Sequence, residues 1–571
     1  MDCREKILSE DYGALIVDFT IRDSVNQAPA EDCFTGVNEN FGISYVPFAD
    51  IADSFGPLYV YQYFPKLYGL MQENFDPLTL SNSGILQVQR PPLSLKGQGV
   101  VIAFVDTGIR FAEQVFRNSA GNSRILALWD QTVQTGEPPE GYGYGTLFTR
   151  EQINEALRAE DPYSVVPSYD EIGHGTAMAS VAAGSMVDGG RTFLGAAPEA
   201  EIVVVKLRQA KQKLRDYYLI REGEPAFAEN DIMLGVKFAE SFARTFSRPV
   251  VICLGLGSNT GNHVEGTLLA QYLNELAQVR NRGIVICGGN EGNAAHHFST
   301  GVIQNGITGN ESRDAYTDVE IRVGEGERGF VLEMWGSIPD VFYASVRTPG
   351  GEEIPRFRLG MGQSLTYRFV YETAVITIDS ILVEPASGDE LIVFRFAAPT
   401  PGVWTIRIYA EAGGGNGTFH MWLPITRFLS SETYFLSPNP YVTLTDPGVA
   451  VRPITVSTYN DENNSFYAAS GRGFLRDGAI KPDFAAPGVN VSTALGERTG
   501  SSLAAAVTAG GVAQFFEWAV VRRNRPLTEN QEIKGYFIRG AERSPDQTYP
   551  SREWGYGRLN VAGAFDALAD V

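Results

Sequence analysis

Four cysteines in 571 residues, Cys3, Cys33, Cys253 and Cys287, are too few for a fold built on disulfides. Cys253 and Cys287 fall within apolar strand-like runs and read as small buried hydrophobes. No Cys/His spacing suits structural zinc, no acidic run has convincing calcium-ligand spacing, and the neighbours His296 and His297 do not converge easily on one ion. No metal site and no cofactor are therefore expected, with calcium left open. No run of 18 apolar residues occurs, which argues against a membrane span. The first residues, MDCREKILSEDYG, lack the apolar core of a signal peptide, so synthesis in the cytoplasm is expected. Positive charge is also scarce, with 46 Lys and Arg against 67 Asp and Glu. A net charge of −21 repels nucleic acid and anionic membrane surfaces alike.

What is present suits a large globular protein. Hydrophobic residues make up 44% of a chain too long for one core, and three to four domain-sized units are expected. The first 80 residues read as a separate α+β unit, with YGALIVDFT and FGISYV as strands. From about Tyr316 to Phe435 the sequence alternates with period two and is punctuated by Gly and Pro, the pattern of an antiparallel sandwich or jelly roll. Trp335, Trp404 and Trp422 lie within its strands and read as sandwich core.

Three short blocks carry the chemistry. The apolar run VVIAFVDTG reads as a buried parallel strand that ends in Asp106, where open α/β sheets place their sites. GHGTAMASVAAG puts His174 at the head of a small-residue helix, and GSSLAAAVTAGG puts Ser502 at the start of another. A serine hydroxyl needs a nearby base, and that base needs a carboxylate to hold its tautomer, so Ser502, His174 and Asp106 form a candidate nucleophilic triad. Asn290, after the strand RGIVICGG, is a suitable side-chain donor to an oxyanion beside the Ser502 N–H. His263, His296, His297 and His420 lie in loop or strand contexts without evident partners.

The order Asp, His, Ser in these settings resembles that of the subtilisin-like serine proteases. DTG at Asp106, HGT at His174, GGNEGN around Asn290, KPDFAAPG from Lys481 and GSSLAAA at Ser502 carry the likeness. Ser501 stands where that family usually has Thr, and Ala506 where it usually has Pro. RILALWDQT from Arg124, ICLGLGSNTGNHVEG from Ile252 and the large β insertion are similar to the clostridial spore-germination (Csp) subtilases. The fold class implied is α/β: a subtilisin-like parallel sheet flanked by helices, an N-terminal α+β prodomain over residues 1–80, and an inserted all-β jelly roll over 316–436. Residues 81–315 and 437–571 would then be the two parts of the catalytic domain. Gly255, Leu256 and Gly257 resemble the edge that pairs an extended peptide, and Gly288 and Gly289 the opposite wall of the specificity pocket.

The function implied is a monomeric, spore-associated serine endopeptidase. It removes its own prodomain, which stays as a bound inhibitor, and then activates a protein zymogen, a spore-cortex hydrolase. The self-cleavage bond is expected between Gln72 and Gln87. A pseudoprotease-like binding protein that retains its prodomain, or a general degradative subtilase, are the alternatives.

Overall fold

Six consecutive buried residues, Val101–Asp106, make the strand around which the molecule is built. The computed structural model describes residues 2–19, 33–50, 63–71, 73–74, 80–185, 195–264, 266–300, 316–359, 363–410, 416–429 and 432–569. The central strand is flanked in parallel by Val250–Leu254 and by Glu201–Lys206. Further parallel strands, Arg282–Cys287 and Ile454–Asn460 on one side and Ile125–Asp130 on the other, extend this nine-stranded sheet, which antiparallel strands close at both edges. Because helices cover both faces, the strands read as unbroken apolar runs.

Helices His174–Ala183 and Ser501–Phe516 are buried along their whole length, which explains their small and uniformly apolar residues. The segment Ser501–Val521 is long and apolar enough to cross a membrane by composition, yet it lies mostly in the interior.

The N-terminal unit holds the helix Cys3–Leu8 and a three-stranded antiparallel sheet of Tyr12–Asp18, Phe41–Pro47 and Phe34–Gly36. A Cys3–Cys33 disulfide ties it, a pairing that four scattered cysteines did not foretell. Ile16, Phe41 and Ile43 share one core with Leu234, Phe238, Leu269 and Tyr272 of the helices Glu229–Thr245 and Leu268–Leu276. Residues 20–32, the expected loop, lie outside the described residues.

Two antiparallel sheets of six and five strands enclose a separate apolar core, and His297–Ser299 contributes an edge strand to the larger one. Alternation sorts the tryptophans differently from the sequence reading. Trp404 fills this core with Leu332 and Met334, but Trp335 and Trp422 project from the opposite face and pack into the α/β core. Glu333 and His420, on alternate positions with Leu332, Met334, Phe419 and Met421, share that outer face with them.

The histidines do have partners, contrary to expectation. His296 Nδ1 lies 2.9 Å from Glu291, and His297 Nε2 lies 2.9 Å from His420 Nδ1. His263, His297 and His420 all stack on Trp422 at the junction of the two units, with centroids 4.0, 4.7 and 5.4 Å away. Burial pushes His263 down to about 4 and His297 to about 3, and His420 well below its usual value, with neighbouring imidazoles and Arg476 adding repulsion. The unfolded chain, with imidazoles near 6.5, therefore binds more protons than the folded one in acid. Stability should hold above about pH 7 and fall as pH drops from about 6.5 towards 4. Thermal melts across that range check this, and His420→Gln should flatten the slope.

Candidate active site

Asp106 ends the central strand, and its Oδ1 accepts from its own following N–H, that of Thr107, at 2.7 Å. The same oxygen lies 2.7 Å from His174 Nδ1, and both side chains are almost wholly buried. A carboxylate at Nδ1 holds the proton there and leaves the Nε2 lone pair as the basic end of the ring. That nitrogen has no hydrogen-bond partner.

The approach is close because Gly175 has no side chain. A Cβ there would lie 2.3 Å from the Gly108 carbonyl and 3.2 Å from Asp106 Oδ1. Asp170, which sequence reasoning missed, organises this corner. Its carboxylate accepts from Gly173 N, from Thr176 N and Oγ1, and from Thr107 Oγ1, at 2.6 to 2.9 Å. Thr107 in turn accepts from Gly175 N at 3.0 Å, so one buried carboxylate joins the strand end to the start of the His174 helix.

Ser502 lies in the first turn of its helix and is fully buried. Asn290 Oδ1 accepts from Ser501 N at 3.1 Å, which leaves the amide NH2 as the donor end of that side chain. The Ser502 hydroxyl does not face open solvent. It donates to the Met71 carbonyl at 3.0 Å, and Ser502 N lies 3.5 Å from the same oxygen.

The segment before Met71 explains this cover. Strand Leu67–Leu70 runs antiparallel between two short edges, Phe227–Ala228 and Leu256–Gly257, with Tyr68 opposite Phe227, Leu70 opposite Leu256 and Gly69 opposite Gly257. Met71 N donates to the Gly255 carbonyl at 3.4 Å. Gly255, Leu256 and Gly257 thus pair an extended segment of the same chain. A Cβ on Gly255 would meet His174 Cε1 at 2.9 Å, which puts the imidazole against the same peptide edge as Met71. Gly288 and Gly289 follow the strand Arg282–Cys287 and lie against Leu444 and Thr445. Thr445 also touches the Gly257 position, beside Met71 Cε, so it stands between the two glycine walls.

Further along the segment, the buried Tyr68 hydroxyl donates to Asp446 at 2.7 Å and lies 2.8 Å from Thr267 Oγ1. Burial pushes Asp446 up to about 6, against the pull of its bonds from Thr267 and Tyr68. Thr267, Thr445 and Asp446 carry no sequence signal, because nothing marks a lone Thr or Asp as lying beside a strand some 190 to 380 positions away. Among the described residues no group of three or more His, Cys, Asp or Glu is arranged to hold a metal ion.

The parallel α/β sheet, a family match and a similar protease structure place the protein among the serine proteases. The chain belongs to the subtilase family, whose model matches residues 97–316 and 408–557, with a gap that falls within the sandwich. The structure of the Clostridium perfringens CspB protease is similar over most of both chains: TM-score 0.75 at 29% identity, covering 86% of this chain and 96% of that one. MycP1 from Mycobacterium smegmatis matches with TM-score 0.35 at 14% identity over 87% and 88%. The patellamide maturation protease PatA matches with 0.39 at 13% over 83% and 98%. No curated protein sequence matches the chain.

Proposed function

We propose that this subtilase is an endopeptidase that cuts its own chain after Met71 and then processes a protein zymogen. Residues up to Met71 act as a prodomain, and the sandwich as an inserted jelly roll. The observation that carries this reading is the Met71 carbonyl oxygen within reach of both the Ser502 hydroxyl and the Ser502 N–H, which sets that peptide carbonyl beside the candidate nucleophile and one oxyanion donor. It lies one residue ahead of the stretch expected from sequence.

In this mechanism Ser502 Oγ attacks the carbonyl carbon while His174 Nε2 takes its proton. Asp106 keeps the imidazole in the required tautomer and supports the imidazolium. The Ser502 N–H and the Asn290 amide hydrogen-bond the oxyanion, each such donor being worth about 2.7 to 4 kcal/mol of barrier. His174 returns the proton to the departing amine, and water then releases the acyl group. The likeness to CspB and to the Csp subtilases suggests a spore setting and a cortex-hydrolase zymogen as the substrate.

Intact mass of the purified chain tests the cut. A fragment of about 8 kDa ending in Met71 and a remainder beginning at Gln72 are expected, given 62.3 kDa over 571 residues. A chain that stays whole overturns the self-processing reading. It would favour the second reading, a binding protein whose N-terminal unit keeps Ser502 covered.

A further inference from the structure

Lys66 is buried immediately ahead of the strand Leu67–Leu70 that leads to Ser502, and burial pulls its amine below the usual lysine range. An amine taken out of water persists only with compensating charge. Glu384 lines one small cavity with Lys66, Glu333 is bonded to Gly261 and Trp335 in the wall of that cavity, and Glu229 accepts from Lys66 N; these three and Asp446 are buried, and their charges favour the cationic form against its burial. Two come from the α/β unit. Glu229 accepts from Leu269 N at 2.9 Å and from Lys66 N at 3.1 Å, and Asp446 is already bound by Thr267. The other two come from the sandwich. Glu333 accepts from Gly261 N at 2.9 Å and from Trp335 Nε1 at 3.1 Å; Glu384 accepts from Ala386 N and from Ser387 N and Oγ at 2.8 to 3.1 Å.

These carboxylates are oriented mainly by groups outside the strand Leu67–Leu70, so the pocket is shaped independently of what fills it. The space left here, about 20 Å³ lined by Lys66, Trp335, Glu384 and Thr267, has room for no more than about one water-sized group. The sandwich also roofs the strand. A Cβ on Gly69 would lie 2.4 Å from Ile425 Cδ1 and 3.3 Å from Phe428 Cε1, so a side chain there requires the Ile425 side chain to shift.

We infer that these carboxylates, shared between the α/β unit and the sandwich, form a binding site for a cationic side chain of the protein substrate, five residues ahead of the residue whose carbonyl is attacked. The inference rests on the protease reading, because it takes the covering strand as occupying the substrate's path. It gives the sandwich a task in recognition. The substrate class is an extended polypeptide with a lysine at that position, then a tyrosine two residues on to meet Asp446, then a glycine to pass beneath Ile425.

The test uses the processed full-length enzyme and a reporter protein joined by a linker copied from residues 63–76. A second linker has Gln in place of the lysine, and a third has Ala in place of the glycine. Cleavage with kcat/KM about 10- to 100-fold lower for the Gln linker is expected, the range for a lost charge-assisted bond. The Lys-to-Gln ratio should shrink towards one in Glu384→Gln and Glu333→Gln. Because each ratio is taken within a single preparation, partial misfolding of a variant cancels. If retained N-terminal fragment keeps linkers out, the self-cleavage rate of Lys66→Gln against wild type gives the same comparison within the chain. Equal rates for the Lys and Gln forms overturn the subsite and leave the protease reading intact. No cleavage of linker or chain overturns both.

Discussion

Ser502→Ala should remain a single 62.3 kDa chain under conditions in which the wild type separates at Met71. Loss of the nucleophile is expected to slow self-cleavage by about 10⁶-fold, since only the binding and oxyanion contributions persist. Asp106→Asn should be milder but still severe, at about 10⁴-fold. The carboxylate that now accepts from His174 Nδ1 at 2.7 Å would become an amide able to donate to it, favouring the tautomer with its proton on Nε2. That places a proton where the base must be. Both variants keep the packing of the two buried helices, so melting temperatures should stay within a few degrees of wild type. A time course of intact mass, with the melt as control, separates lost chemistry from lost folding.

Asp483→Ala should act on stability rather than on chemistry. Asp483 is buried between two lysines: Lys481 Nζ lies 2.7 Å from one carboxylate oxygen and Lys534 Nζ 3.4 Å from the other. Lys481 also donates to the Pro453 carbonyl at 2.7 Å and to Thr455 Oγ1 at 3.0 Å. Burial pushes Lys481 down to about 7, against the attraction of Asp483. Removing the carboxylate leaves two buried amines and the Thr455 N–H without the partner they share, at a cost of about 3–5 kcal/mol. A drop in melting temperature of roughly 4–6 °C is expected on that basis, given an unfolding entropy of about 2.1 cal/mol/K per residue over an α/β unit of this size. Changing Lys481 to Met in the same chain should recover part of the loss. A melt unchanged by Asp483→Ala would show that these charges are already solvated.

The readable part of the site lay in short blocks where several rare requirements coincide: an apolar strand ending in Asp106, a helix start at His174, another at Ser502. Each block is local, and its glycines are demanded by close backbone approach. The unreadable part is assembled by topology. Tyr68 meets Asp446 across 378 positions, and Lys66 shares a small cavity with Glu384 only because the sandwich folds back over the cleft. Alternation in the sandwich announced two faces, but not that Trp335 and Trp422 would turn outward into another core. Asp170 escaped notice because nothing in its neighbours distinguishes a carboxylate bound by backbone N–H groups from one in solvent.

The cover over Ser502 has a consequence in time. With the hydroxyl bound to the Met71 carbonyl and shut off from solvent, a fluorophosphonate probe or any other serine-directed reagent finds no target on freshly folded protein. Labelling should begin after a lag set by departure of the N-terminal fragment, and its onset should depend on dilution once the peptide bond is cut. A preparation judged inert by a brief assay can then hold fully competent enzyme, and the lag, more than the final rate, reports how tightly the chain guards itself.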